Sequence, residues 1–135
     1  MEARYVTLCV LLWDPATRQI VMANAGAIPP MICRRGEILK LRVEGVPLGL
    51  LDAREYEEFP FQAEPGDTLV LYSDGITDHL NAAGTEFGRG RLAQVVRSHC
   101  DKTSGELTTT IFRDLDKFST TAFDDQTVFV MKVSA

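Results

Sequence analysis

The sequence predicts an α+β fold in which short antiparallel strands come first, two helices follow, and one strand closes the chain. Three observations carry that expectation. Between residues 5 and 72, short apolar runs rich in β-branched side chains are separated by turns built on Gly, Pro and Asp. Between residues 89 and 118 the apolar spacing lengthens to three or four residues. Residues 127–133, Thr-Val-Phe-Val-Met-Lys-Val, return to a strand pattern. Strands and helices do not alternate, which excludes a parallel βαβ architecture.

The first strand spans residues 5–13 and is almost continuously apolar, the pattern of a buried strand. Asp14-Pro15-Ala16-Thr17 is a turn, with Asp capping it and Pro presetting φ. Residues 19–24 return as the second arm of a hairpin. Pro29-Pro30 breaks the chain. Residues 31–33 and 37–41 flank Arg34-Arg35-Gly36 as a second hairpin, with Gly36 available for positive φ. The segment from Gly45 to Gly49 carries too much Gly and Pro for a regular element. Residues 56–62 form a strand that Pro60 confines to a sheet edge. Glu64-Pro65-Gly66-Asp67 is a turn, and residues 68–72 are a short apolar strand ending at Ser73-Asp74-Gly75. A helix is expected over residues 89–99. Thr103 and Glu106 form a capping box for a second helix, whose face is Leu107, Ile111, Leu115 and Phe118.

The 135 residues fit one domain, residues 1–135, with no repeat, linker or low-complexity segment. A net charge of −5, with basic residues scattered, argues against nucleic acid or an anionic membrane as partner. The pairs Arg34/Arg35 and Arg89/Arg91 read as solvated turns. Cys9, Cys33 and Cys100 are odd in number and widely spaced, which predicts reduced thiols. The N-terminal residues Met1-Glu2-Ala3-Arg4 do not resemble a secretory leader, and the apolar run after them is too short to span a bilayer. A soluble, cytoplasmic protein is expected.

Two acidic turns can carry chemistry. Ser73-Asp74-Gly75-Ile76-Thr77-Asp78 follows an apolar strand directly, and Asp124-Asp125-Gln126-Thr127 precedes one. Carboxylates held at strand ends have little freedom, and converging ones repel until a cation neutralises them. Oxygen donors alone favour Mg²⁺, Mn²⁺ or Ca²⁺ over zinc. The same residues also suit simpler work: Asp-Gly is a common turn, and Asp is a good N-cap for the residues after Ile76. Both readings stand at this level. His79 reads as an exposed or capping residue. No nucleophile–base pair can be inferred, and no phosphate-binding glycine loop occurs.

Five short motifs, in order along nearly the whole chain, resemble the PPM-type serine/threonine phosphatases of the sporulation-stage-II-E-like branch. Asp74-Gly75-Ile76-Thr77-Asp78 is similar to the family's D-G-x-x-D, and Asp124-Asp125-Gln126-Thr127 to its D-[DN]-x-T. Ala23-Asn24-Ala25-Gly26, followed by Pro29-Pro30, is similar to A-N-A-G-H-x-P-P. The run from Gly45 to Gly49 matches G-x-P-L-G, and Phe87-Gly88 with Arg91-Leu92 matches F-G-x-x-R-L.

The resemblance implies an antiparallel β-sandwich with flanking helices, binding two Mg²⁺ or Mn²⁺ ions that activate water for attack on phosphoserine or phosphothreonine. It implies Asp74 and Asp124 as metal ligands, Asp78 as an outer ligand or holder of a further ion, and Asp125 as a weaker candidate. Gly75 keeps the turn tight, and Thr127, Asn24 and Gly26 support the site. The partner implied is a phosphorylated regulatory protein such as an anti-anti-sigma-like factor. Two departures stand out. Ala27 occupies the position that is usually His in this branch. No G-D motif precedes Asp14, so the N-terminal part of the domain, with its bridging carboxylate, is expected to be absent. A chain so reduced is expected to hold no metal or one weakly, and to be catalytically incomplete alone. It is also expected to self-associate through the first strand or a bare sheet face. A non-catalytic regulatory or oligomerisation module derived from a phosphatase is the alternative. A small α+β protein whose acidic turns are only caps is a third.

Overall fold

A computed structural model describes residues 4–51, 55–121 and 124–135. Met1-Glu2-Ala3, read above for a leader, lies outside the described residues. The chain divides into two compact units: Met1–Pro29 with Leu41–Glu64, and Pro30–Lys40 with Pro65–Ala135.

The first unit is a three-stranded antiparallel sheet in the order β1-β2-β5. β1 (Leu8–Asp14) and β2 (Gln19–Ala25) form a hairpin running from Leu8↔Ala25 to Asp14↔Gln19. Asp14 builds the turn as expected. Its carboxylate accepts from Ala16 N (2.9 Å) and its carbonyl from Arg18 N (2.8 Å), with Arg18 at φ 56°. Among the described residues β5 (Phe59–Gln62) pairs only with β2, and Pro60 sits opposite Val21 on that edge strand, where a missing N–H costs nothing to the ladder.

β1 departs from the sequence reading in two ways. It begins at Leu8 rather than residue 5, and it is not buried: Val10 is 51% and Leu12 69% exposed. Continuous apolarity marked a strand correctly but overstated its burial, because β1 is an edge with one half-covered face.

The second unit is a four-stranded antiparallel sheet in the order β4-β3-β6-β7 with three helices. β3 (Met31–Arg34) and β4 (Glu37–Leu39) meet at Arg35-Gly36, both at positive φ (50° and 79°), as a two-residue hairpin turn requires. β6 (Thr68–Tyr72) lies between β3 and β7 (Val128–Lys132), and its Thr68, Leu69 and Val70 are all buried, hence its unbroken apolar run. α1 (Asp74–Thr77) is a single turn after β6. α2 (Gly88–Ser98) buries Leu92, Val95 and Val96.

α3 (Ser104–Phe118) starts at the expected capping box, with Glu106 N donating to Thr103 Oγ1 and Thr103 N to Glu106 Oε2, both at 3.2 Å. Its Leu107, Ile111 and Leu115 are at most 1% exposed, and each stabilises the unit by about 1.5–3 kcal/mol.

Three charged residues behave differently from the solvated-turn reading. Arg34 makes a bidentate pair with buried Asp67, Nε–Oδ1 at 3.0 Å and Nη2–Oδ2 at 2.7 Å. Arg91 lies on α2, with its guanidinium 4.8 Å from the Phe118 ring centroid and Nη1 donating to the carbonyls of Glu86 and Phe87. Arg89, also on α2, reaches the Tyr72 hydroxyl at 3.4 Å. Phe87 meets Phe118 edge-on at 5.4 Å. The Phe-Gly-x-x-Arg-Leu motif is thus a packing device joining α2 to the end of α3.

Candidate metal centre at the β6–β7 end

β6 and β7 run antiparallel with Tyr72 opposite Val128, so the segment leaving β6 and the segment entering β7 emerge at the same end of the sheet. The two acidic turns, about fifty residues apart in sequence, are therefore neighbours. Ser73 ties them together: its N–H donates to Thr127 O (3.0 Å), its hydroxyl donates to Asp125 O (3.3 Å) and accepts from Thr127 N (3.0 Å). Ser73, not an Asp, is the N-cap residue of α1, and its side chain is spent on this bridge rather than on the helix. Asp74 is the first helical residue.

Gly75 explains the tightness of the approach. A β-carbon there would fall inside the Asp125 carbonyl, so no other residue fits without moving the second turn.

The four carboxylates are all exposed. Asp74 opens α1, Asp78 closes it with its N–H on Asp74 O (2.7 Å), and Asp124 accepts from Asp125 N at 2.8 Å. Among the described residues, none of them forms an ion pair. The donors match a hard divalent cation in kind. They fall short in number, because among the described residues no three His, Cys, Asp or Glu side chains form a metal-holding group.

Behind the acidic turns lies an arrangement that the sequence reading missed. His79 is buried (4% exposed), not exposed. Its Nε2 faces the carbonyl oxygens of Leu115 (3.1 Å) and Ser119 (2.9 Å), so that nitrogen carries the proton and donates. Its Nδ1 is then the acceptor for Gln126 Nε2 at 3.2 Å, and the same amide donates to Gly75 O at 3.3 Å. Gln126 thereby links the second acidic turn to α1 and, through His79, to the C-terminus of α3. A His after the D-G-x-x-D run and a Gln inside D-D-x-T were the available signals, but their pairing needs the fold.

The other singled-out residues lie in the first unit. Asn24 is buried; its Nδ2 donates to Ala27 O (2.9 Å) and Val43 O (2.8 Å), and its Oδ1 accepts from Ala27 N (2.9 Å). Gly26, at φ 73°, lies so close to the Pro47 ring that a β-carbon would approach to 2.6 Å. The Ala-Asn-Ala-Gly and Gly-x-Pro-Leu-Gly motifs thus pack on each other, and Ala27 is held by its backbone alone. A cavity of 420 Å³ in this unit, lined by Arg42, Glu44, Tyr56 and Phe59 among others, includes none of the acidic-turn residues. No helix among the described residues is long and apolar enough to cross a membrane.

Comparison with known proteins bears on this geometry. The family model described as Stage II sporulation protein E (SpoIIE) matches residues 1–134. Phosphoserine phosphatase RsbU of Bacillus subtilis (strain 168) is 26% identical over 131 residues, which is 95% of this chain and 39% of the relative. Stage II sporulation protein E of the same strain is 28% identical over 72 residues, 53% of this chain and 9% of the relative. The chain thus spans well under half the length of these curated relatives.

Among solved structures, the SiaA-PP2C domain of Pseudomonas aeruginosa superposes with a TM-score of 0.82 at 22% identity, over 95% of this chain and 52% of that one. The Mn-presoaked phosphatase domain of SpoIIE from Bacillus subtilis gives 0.75 at 19% identity, over 95% and 56%. The fold is that of a PP2C-type phosphatase domain, α+β with antiparallel sheets, of which the chain covers part.

Proposed function

Because this chain belongs to the Stage II sporulation protein E family of PPM-type phosphatase domains, we propose that it forms part of a Mg²⁺- or Mn²⁺-dependent domain that hydrolyses phosphoserine or phosphothreonine on a regulatory protein. An anti-anti-sigma-like factor is the substrate class proposed. The observation that carries the reading is the bridge of Ser73 and Gly75 to Asp125 and Thr127, which brings Asp74 and Asp124 to one end of the β6–β7 pair. In this reading Asp74 and Asp124 hold a metal, Asp78 stands as an outer ligand, and Asp125 is secondary. A divalent cation held by Asp74 and Asp124 would supply an activated water and neutralise phosphoryl charge. With too few donors gathered among the described residues, the chain binds at most one ion weakly, and turnover needs further carboxylates.

The test is hydrolysis of p-nitrophenyl phosphate with and without Mn²⁺, comparing the chain with Asp74→Asn. Mn²⁺-dependent turnover lost in the variant means that the chain assembles a working site. Equal rates for both, together with loss of weak Mn²⁺ binding in Asp74→Asn, mean a partial site. Mn²⁺ binding that is absent, or indifferent to Asp74→Asn, rejects the metal role.

A second reading rests on the exposed face of β1. Leu8, Val10 and Leu12 are 45–69% exposed on alternate positions, with Tyr5 and Val6 also above 50%. Among the described residues β1 pairs only with β2. We propose that this edge mediates self-association, and a non-catalytic oligomerisation role would use the same surface.

A further inference from the structure

We propose that Cys33 and Cys100 are a redox pair, which a hydroperoxide closes into an intramolecular disulfide tying the end of α2 to β3. The three cysteines are free, and sequence spacing left them unrelated. The second unit brings two of them to the same place on its sheet.

Cys33 pairs with Thr68, and Thr68 pairs with Lys132, so these residues form a row across β3, β6 and β7. Directly paired residues project from the same face of a sheet. The backbone of Cys100, just past α2, is fastened to that row. Thr68 Oγ1 donates to Cys100 O at 3.5 Å, and Lys132 Nζ donates both to Cys100 O and to Thr68 Oγ1, the latter at 2.8 Å. Cys33 and Cys100 thus both lie beside Thr68, Cys33 as its strand partner and Cys100 through its carbonyl.

The two sulfurs are unequal. Cys33 is wholly buried, and burial together with the neighbouring Cys100 pushes its thiol up to about 11. Cys100 is half-buried. Cys100 is therefore the sulfur a peroxide reaches. Its thiolate attacks the peroxide, the O–O bond breaks, and Cys100 becomes a sulfenic acid as the peroxide leaves as alcohol or water. Cys33 then attacks the Cys100 sulfur, and its thiol proton leaves with the displaced hydroxide as water. The Lys132 ammonium lies close enough to favour the Cys33 thiolate during that attack. Two thiols are oxidised by two electrons and one hydroperoxide is reduced. The bond closes a long loop, which constrains the unfolded chain. The pair sits at the Thr68 end of β6, opposite the end that leads to Asp74. It therefore locks α2 to the sheet without touching the acidic turns.

The experiment is peroxide titration of the full chain carrying Cys9→Ser, read by intact mass, thiol alkylation and peptide mapping. The expected result is a single-chain species that has lost two hydrogens, yields a Cys33–Cys100 linked peptide, melts at a higher temperature and reverts with dithiothreitol. Adding Cys100→Ser should abolish the species and leave Cys33 unoxidised. Accumulation of sulfinic acid on Cys100 with Cys33 intact and unlinked, or cross-links formed only between two chains, would overturn the proposal. The decisive reading uses a chain with both partners native, so a folding defect in the second variant cannot mimic it.

Discussion

His79 and Gln126, forty-seven residues apart, share a hydrogen bond of 3.2 Å that sets the ring's tautomer and anchors the second acidic turn. With Nε2 committed to two carbonyls at the end of α3, Nδ1 must accept, and only Gln126 supplies the proton among the described residues. Gln126→Leu removes that donor and strands a buried acceptor. We expect a loss of about 1–3 kcal/mol in unfolding free energy, read by urea denaturation with an unchanged m-value. A change below the error of the fit would mean that the ring turns to find another partner.

Gly75 permits the contact that places the two acidic turns side by side. Gly75→Ala drives a methyl group into the Asp125 carbonyl, and the second turn must move. The expected cost is about 1–3 kcal/mol, the range for overpacking. On the proposed metal role, weak Mn²⁺ binding should fall with it. Gly105→Ala is the control. Gly105 lies in the first turn of α3 with nothing within 4 Å, so alanine there should be neutral or stabilise by about 0.5–1 kcal/mol. Calorimetric melts of the two variants, with Mn²⁺ titrations, separate a local clash from general glycine intolerance.

Asp67 is 3% and Arg34 19% exposed in their side chains, and two parallel hydrogen bonds join them. Asp67→Asn removes the carboxylate that this largely buried guanidinium binds in two places. Removing one partner of a buried pair costs about 3–5 kcal/mol, and the partial exposure of Arg34 reduces the expectation to about 2–4 kcal/mol. Removing both, as Arg34→Met with Asp67→Leu, should be milder than the single change. A double-mutant cycle by urea denaturation checks the order.

Most of the architecture was legible because it rests on local rules. The capping box at Thr103 and Glu106 needs only two residues at the right spacing, and the helix begins where they place it. The Arg35-Gly36 turn and the edge position of Pro60 follow from backbone sterics. The acidic turns were visible as strand-end carboxylates, but their adjacency is a property of β6–β7 pairing, which no local pattern encodes. The same limit hid the Arg34–Asp67 pair, the His79–Gln126 bond and the nearness of Cys33 and Cys100 around Thr68: each brings together residues more than thirty apart. β1 was misjudged for a related reason. Composition reports that a segment is apolar, while exposure depends on which strands lie beside it.

That exposure yields the last prediction. Val10 and Leu12 stand 51% and 69% exposed on an edge strand whose one sheet neighbour among the described residues is β2. Val10 and Leu12 are two residues apart and lie on the same, exposed face of β1, so lysines at both positions charge that face of the edge strand. If β1 mediates the proposed self-association, Val10→Lys with Leu12→Lys should turn a concentration-dependent sedimentation coefficient into a constant monomeric one. Because neither side chain is buried, folding stability should change little, by less than about 1 kcal/mol. A chain that is monomeric before substitution, or still associated after it, would place the interface elsewhere. Loss of association together with unchanged Mn²⁺ binding would show that the edge and the acidic turns act independently.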